Sequence, residues 1–418
     1  MGFGAWLRFS IPPSLCLACR GAKLLCGLAF CPIILEHKAK ASRLPPLKEL
    51  TGSSPPSVFV GRYDYPKVRV GALAPPRLGD TSELDLPELW TGRRLEEVVE
   101  ARISLIGGFR RLPVQVAREP DRYLQGLQLL SMSESSVPLY MTFERLVRAR
   151  PTFDEHHAPF GPSALLQRLS FEEEPKPLGH LEKAYYDLDL RAEEAVVLLY
   201  SAGLSIYAIQ RAFSLGCFGS GRARRLVPTR WSITAVDDML SQHNIALLKK
   251  MPELDKPRVF VRRAHLNTFV AILLPKKWAF EWIEAWFPRT TWNLQRSGAP
   301  ELMGDYEPFR GRTEYARVGG CYYSSRLAVT EYLLGIGRQA SAVLLREIHP
   351  GFRLPLGVWF VRENLREMFR GGFRELESEE EAVRYALSNL TVPHGRWLAC
   401  SRLLRLAMVN KTLLDFAS

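Results

Sequence analysis

The chain has 418 residues, of which 47% are hydrophobic and 24% charged, a composition that supports a folded core and excludes a largely disordered chain. The formal net charge of +12 favours a polyanionic partner, either nucleic acid or an anionic membrane surface. No apolar run reaches the roughly 18 residues a membrane-spanning helix needs, so no membrane partner is expected.

Four of the seven cysteines fall within the first 31 residues. That clustering suits a metal site in a reducing, cytoplasmic compartment and does not suit a disulfide framework. The apolar stretch from Leu24 to Leu35 imitates the core of a signal peptide, but it carries Cys26, Cys31 and Pro32 and is rejected as one.

In chain order, residues 1–40 read as a small Cys-rich module. Residues 41–57, dense in Pro and Ser, read as a linker or extended arm. Val58, Val60, Val68 and Val70 alternate as in strands. Helices are predicted near 95–106, 121–131 and 180–203, the last from the spacing of Leu188, Ala192, Ala195, Val196 and Leu199. A turn at Gly216, Gly219 and Gly221 precedes a helix predicted to start at Thr234, with Asp237 completing a capping box. Strands follow at 257–263 and 266–274. Helices are predicted from Tyr323 to Ile336, from about Arg338 to Arg346, over the acidic 378–390, and over the basic 397–409. Without regular βαβ alternation the class is α+β. One large mixed core over 58–396 is expected, with a C-terminal helix and tail over 397–418.

Four patterns could carry chemistry. Cys16, Cys19, Cys26 and Cys31 supply four thiolates within 16 residues, enough to enclose one structural Zn²⁺ tetrahedrally and leave no open catalytic position. The stretch from Gly216 to Asp238 combines glycines with Arg224, Arg225, Thr229, Arg230 and Ser232 ahead of a helix. It reads either as a phosphate cradle or as a tight turn with Asp237 capping and Arg230 paired to Asp238. A third set holds Asp305, Glu307, Arg312, Arg326, Arg346, Glu347, Arg362 and Glu363. Its carboxylates could hold Mg²⁺ or another divalent cation, but spacing alone favours a buried Arg–Glu network that fixes the fold. The adjacent His156 and His157 could not point the same way on a strand and are assigned no role. The tail places Asn410, Leu413, Leu414 and Phe416 as a one-turn plug for a hydrophobic groove on a partner, with docking on the chain's own body as the alternative.

At these residues the sequence resembles the archaeal NreA family of DNA-repair proteins. The resemblance runs through Cys16, Cys19, Cys26-Gly27 and Cys31-Pro32-Ile33, then Val58 to Val68 and the block from Arg224 to Asp238. It continues through Gly319-Gly320, Arg346-Glu347 and Gly357-Val-Trp359 to Arg362-Glu363-Asn364. Asp64 stands where Gly is expected and Cys321 where Tyr is expected. The tail resembles a peptide that binds the sliding clamp (PCNA), with Asn410 at the usual Gln position and Ala417 replacing the second aromatic.

The resemblance implies DNA repair, with DNA, the sliding clamp and an adenine nucleotide as partners. Joined to the Arg/Gly block, it suggests hydrolysis of a nucleotide–DNA phosphodiester linkage, such as removal of AMP from an adenylated 5′ end. Arg224, Arg225, Thr229, Arg230, Ser232, Arg346 and Arg362 would hold phosphate. Asp237, Asp238, Asp305 or Glu307 would activate water or hold the cation. The alternatives are a non-catalytic DNA- and clamp-binding scaffold and an RNA-associated zinc protein.

Overall fold

The computed structural model describes residues 11–28, 31, 33–34, 46–147 and 151–409. The architecture is α+β, and the chain divides into two compact units. The described part begins with helix α1 (Pro13–Cys19), which belongs to the second unit with residues 241–355 and the chain from 360 onward. The first unit comprises residues 34–240 and 356–359.

A six-stranded mixed sheet forms the centre of the first unit. It contains β1 (Leu47–Ser54), β2 (Val58–Val60), β3 (Lys67–Ala74), β4 (Ile106–Pro113), β5 (Val137–Val147) and β6 (Ser163–Phe171), in the order β1-β5-β6-β4-β3-β2. Among the described residues of this sheet, only β4 and β6 pair in parallel. Around it lie α2 (Leu95–Ile103), α3 (Arg122–Met132), α4 (Gly179–Tyr186), α5 (Ala192–Ser201) and α6 (Ile206–Ser214). The Tyr123 hydroxyl of α3 donates to the Val70 carbonyl of β3 at 2.8 Å. Helix α7 (Thr229–Leu248) begins in this unit.

The second unit has its own six-stranded sheet. Its strands are β7 (Arg258–Ala264), β8 (Asn267–Leu274), β9 (Ala279–Trp286), β10 (Glu301–Glu307), β11 (Ser341–Ile348) and β12 (Arg374–Glu375), in the order β10-β9-β11-β8-β7-β12. Every residue of β8, β9 and β11 is buried, as expected for strands covered on both faces. Helices of this unit are α8 (Gly320–Gly335), α9 (Trp359–Arg370, from Phe360 onward), α10 (Glu379–Ser388), α11 (His394–Cys400) and α12 (Arg402–Val409). Ile272, Ile283, Val343 and Leu345 of the sheet pack with Ala382, Val383, Leu387, Trp397 and Leu404 of the last helices. On α8, Tyr322 meets Phe280 of β9 edge to face at 5.0 Å. Among the described residues no helix is long and apolar enough to cross a membrane.

Several predicted elements change. The helix predicted from about Arg338 to Arg346 is replaced by strand β11 over Ser341–Ile348, held between β8 and β9. Part of the segment read as a linker is strand β1. The helix predicted over 180–203 is broken because the Asp187 carboxylate accepts the Asp189 and Leu190 amides at 3.1 and 2.9 Å, forming a turn between α4 and α5. The helix predicted over 397–409 breaks at Ser401, whose hydroxyl accepts the Leu404 amide at 3.0 Å and caps α12.

The loop between α10 and α11 is fixed by one carboxylate. Glu347 of β11 accepts the Thr391 amide, the Thr391 hydroxyl and the Val392 amide at 2.8, 2.6 and 2.6 Å. Glu347→Ala leaves the buried Val392 amide without its acceptor and should destabilise the protein by about 2 kcal/mol, read as a lower urea midpoint with an unchanged slope.

Candidate functional site

Helix α7 starts at Thr229, five residues before the predicted start, directly after Pro228. The predicted capping residues are inside the helix. Thr234 donates to the Arg230 carbonyl one turn back at 3.4 Å. Asp237 is fully buried and accepts from Gln210 at 3.2 Å, while Asp238 is half-buried on the same helix. The first turn is tied down on every side. The Thr229 hydroxyl accepts the Val60 amide at 2.9 Å, and the Ser232 hydroxyl donates to the Gln210 carbonyl at 2.6 Å.

This turn aims Arg230 at a loop that sequence reasoning passed over. Its guanidinium donates to Asp154 at 3.2 Å and to Glu155 at 2.6 Å. Arg230 is therefore paired with Asp154 and Glu155 in place of the Asp238 pairing considered above. His156 and His157 follow in the same loop, and both are buried. The His156 ring nitrogen Nδ1 stands 3.4 Å from Glu155 and 3.6 Å from Asp154. His157 Nδ1 lies 2.8 Å from the Ala158 carbonyl, and its ring packs against Phe59 and Phe160. Because the two histidines sit on a loop, the period-two rule for strands does not separate them. Gly357, at φ 91°, closes the loop from outside: a Cβ there would lie 2.6 Å from the His157 carbonyl carbon. The Val358 amide then donates to the His156 carbonyl at 3.0 Å.

The electrostatics of the loop are uneven. Burial acts to raise the Asp154 pKa, but Arg230, with His156 and His157, outweighs it and holds the carboxyl well below the ordinary range. Burial pushes the His157 imidazole down, so it is neutral at physiological pH despite Asp154 nearby. An ionised carboxylate, a neutral imidazole and a guanidinium thus meet at one junction, the components of acid–base chemistry.

The other predicted residues are dispersed. Arg224 stacks on Tyr185 and donates to the Gly219 and Tyr185 carbonyls at 2.9 and 2.6 Å, closing the glycine turn, while Arg225 is exposed. Asp305 and Glu307 share β10 in the second unit. Asp305 accepts the Val318 amide at 2.9 Å and faces Arg312 at 3.4 Å. Glu307 accepts from Arg326 at 2.6 Å and from Tyr322 at 3.1 Å, all fully buried. Arg346 donates to Asn267 at 2.9 Å and to Glu284 at 3.0 Å, and Arg362 is fully buried. This matches the fold-fixing network favoured from spacing.

Cys16, Cys19, Cys26 and Cys31 line one pocket of about 30 Å³ together with Trp292 and Leu294. Burial, then the neighbouring Cys31, Cys19 and Cys26, push the Cys16 thiol up to about 11. The donor set therefore fits a thiophilic cation, which would relieve that mutual repulsion. Among the described residues no three His, Cys, Asp or Glu side chains already stand as a finished metal cage. Just beyond Cys19, Arg20 at φ 47° donates to Glu284 of β9 at 2.6 Å. Asn410, Leu413, Leu414 and Phe416 lie outside the described residues.

The signal for the missed loop was present as four consecutive titratable residues, Asp154 to His157, directly before an apolar Ala-Pro-Phe-Gly. Because the folded-state pKa of Asp154 is depressed, the stability it contributes is present above the ordinary value near 3.8 and is lost as pH falls below it. Asp154→Asn should cost about 3 kcal/mol at neutral pH and flatten the acid limb of a stability-versus-pH curve measured by denaturant unfolding.

Comparison with known proteins accounts for nearly the whole chain. A family model described as "Archaeal Nre, N-terminal" matches residues 25–293, and one described as "Archaeal Nre, C-terminal" matches residues 307–416. The chain is 44% identical to DNA repair protein NreB of Archaeoglobus fulgidus, covering 96% of this chain and 99% of that one. It is 35% identical to DNA repair protein NreA of the same organism, covering 92% and 95%. It is 34% identical to DNA repair protein NreA of Haloferax volcanii, covering 82% and 83%. No solved structure matches the chain. The chain belongs to the archaeal Nre family.

Proposed function

We propose that this chain is a DNA-repair protein that hydrolyses the linkage joining a nucleotide to a DNA end, with release of AMP from an adenylated 5′ end as the reaction. The observation that carries the repair role is its likeness, over almost its full length, to relatives named DNA repair proteins. The net charge of +12 supports a DNA partner. The reaction rests on the loop at Asp154–His157. In this reading the neutral His157 takes a proton from the attacking water, and Asp154 holds the loop through Arg230. The adenine nucleotide would be recognised beside that loop.

Two further features complete the proposal. The four N-terminal cysteines hold one structural Zn²⁺, supported by their shared pocket. The tail from Asn410 to Phe416 docks on the sliding clamp through Leu413, Leu414 and Phe416. The second reading is a non-catalytic DNA- and clamp-binding scaffold. It is favoured by the commitment of Arg230, Arg326 and Arg346 to buried carboxylates.

Incubation with 5′-adenylated DNA, with and without Mg²⁺, separates the two. Wild-type protein should release AMP, and His157→Gln should lower the rate by about 100-fold while its melting temperature holds. A homogeneous preparation that releases no AMP in either condition supports the scaffold. Elemental analysis should find one zinc per chain in the wild type and none in Cys19→Ser. Phe416→Ala should abolish clamp binding of micromolar strength, since losing an aromatic anchor costs about 2 kcal/mol.

A further inference from the structure

We infer that the turn between β2 and β3, together with the first turn of α7, forms a stacking platform for the unpaired bases of single-stranded DNA. The inference rests on the DNA-repair reading and adds to it a surface that adjoins the loop at Asp154, since Arg230 stands beside Trp231 in the first turn of α7. Large aromatic side chains normally bury their rings, yet here three are open to solvent: Tyr63 at 72%, Tyr65 at 46% and Trp231 at 44% exposure. Tyr65 and Trp231 come from distant parts of the sequence but touch, with ring centroids 5.3 Å apart and planes inclined at 56°. Their meeting is built into the fold. The Val60 amide, at the end of β2, donates to Thr229, two residues before Trp231.

The surrounding charge selects the partner. Residues 61–69 and the neighbouring strand supply Arg62, Lys67, Arg69 and Arg111 against the carboxylate of Asp64. Arg69 and Arg111 are cross-strand neighbours, a repulsive pairing that would be relieved by a polyanion. Among the described residues no carboxylate pairs with Lys67 or Arg69, and Asp64 stands 3.7 Å from Arg111 with both side chains about half exposed. The Arg62 guanidinium lies over the Tyr63 ring at 4.9 Å, a flat cationic surface of the kind bases also stack on. An apolar protein groove would meet four cations here. A phosphate backbone carrying unstacked bases meets both the cations and the rings. A closed duplex offers its phosphates but no open base faces, which favours the single strand.

The test is a binding titration of the full chain with a fluorescein-labelled thymidine oligonucleotide of about 15 nucleotides, with the matching blunt duplex and the matching RNA as further arms. Tyr65→Ala and Trp231→Ala, both exposed and so expected to fold as the wild type by melting temperature, should each weaken single-strand binding about tenfold, the loss of one base stack. Neither should change the slope of log affinity against log salt, whereas Arg69→Ala should reduce it by about one. The part of the intrinsic fluorescence lost in Trp231→Phe should be quenched by the oligonucleotide in the wild type. Wild-type binding that the two aromatic variants leave unchanged overturns the platform while the DNA-repair reading stands. An equal loss on the blunt duplex, or tighter binding of the RNA, overturns the assignment to single-stranded DNA. A wild-type protein that binds no DNA at low salt removes the repair reading and the platform with it.

Discussion

Glu284 is a carboxylate fully buried on a central strand of the second unit, and two guanidinium groups make it tolerable there. Burial alone would raise its pKa, but Arg20 and Arg346 outweigh burial and keep it ionised. Arg20 sits 2.6 Å away and Arg346 3.0 Å away, on opposite carboxylate oxygens. The extra positive charge is spread over aromatic faces: Arg346 lies 5.4 to 5.7 Å from the rings of Phe269, Trp286, Phe352 and Phe360. Arg20 is also the left-handed residue that ends α1, immediately after Cys19. One buried ion network therefore fastens the cysteine segment, too short for a core of its own, to the sheet of its unit.

The same economy runs through the basic residues as a whole. A net charge of +12 suggests a surface full of free cations, but many arginines are interior struts. Arg224 satisfies carbonyls, Arg230 clamps Asp154 and Glu155, Arg326 answers Glu307, and Arg346 answers Glu284. Each is locked by geometry that a planar, multiply donating group supports and a lysine would not. What remains for a polyanion is a smaller exposed set, including Arg69, Arg111 and Arg225. Charge alone suggests a class of partner without showing which arginines would face it.

The sequence was informative where local chemistry decides the outcome. The helix predicted from Tyr323 became Gly320–Gly335, the acidic helix became Glu379–Ser388, and the two strands flanking His265 appeared as a hairpin. It misled where distant partners decide. Ala-Val-Leu-Leu in 342–345 has no periodicity that separates a buried strand from a buried helix, and only its pairing with β8 and β9 settles it. Strand β9 was not predicted at all, because Glu281 and Glu284 interrupt its apolar run. Their partners, Ser401 with Arg402 and Arg20 with Arg346, lie more than 60 residues away or at the far ends of the chain. The gathering of the four cysteines around one pocket was legible from spacing. The loop at Asp154–His157 showed only its run of titratable residues, because nothing local to it reveals that Arg230 and Gly357 close around it.

The central claim is that a direct, buried interaction between Arg20 and Glu284 holds the cysteine segment in place. A double-mutant cycle with Arg20→Met and Glu284→Gln, followed by denaturant unfolding, measures that interaction free of the other changes each variant makes. The account predicts a coupling of at least about 2 kcal/mol, beyond what surface ion pairs reach. Additivity within about 0.5 kcal/mol would contradict it, and would mean that the segment is held by something other than this pair.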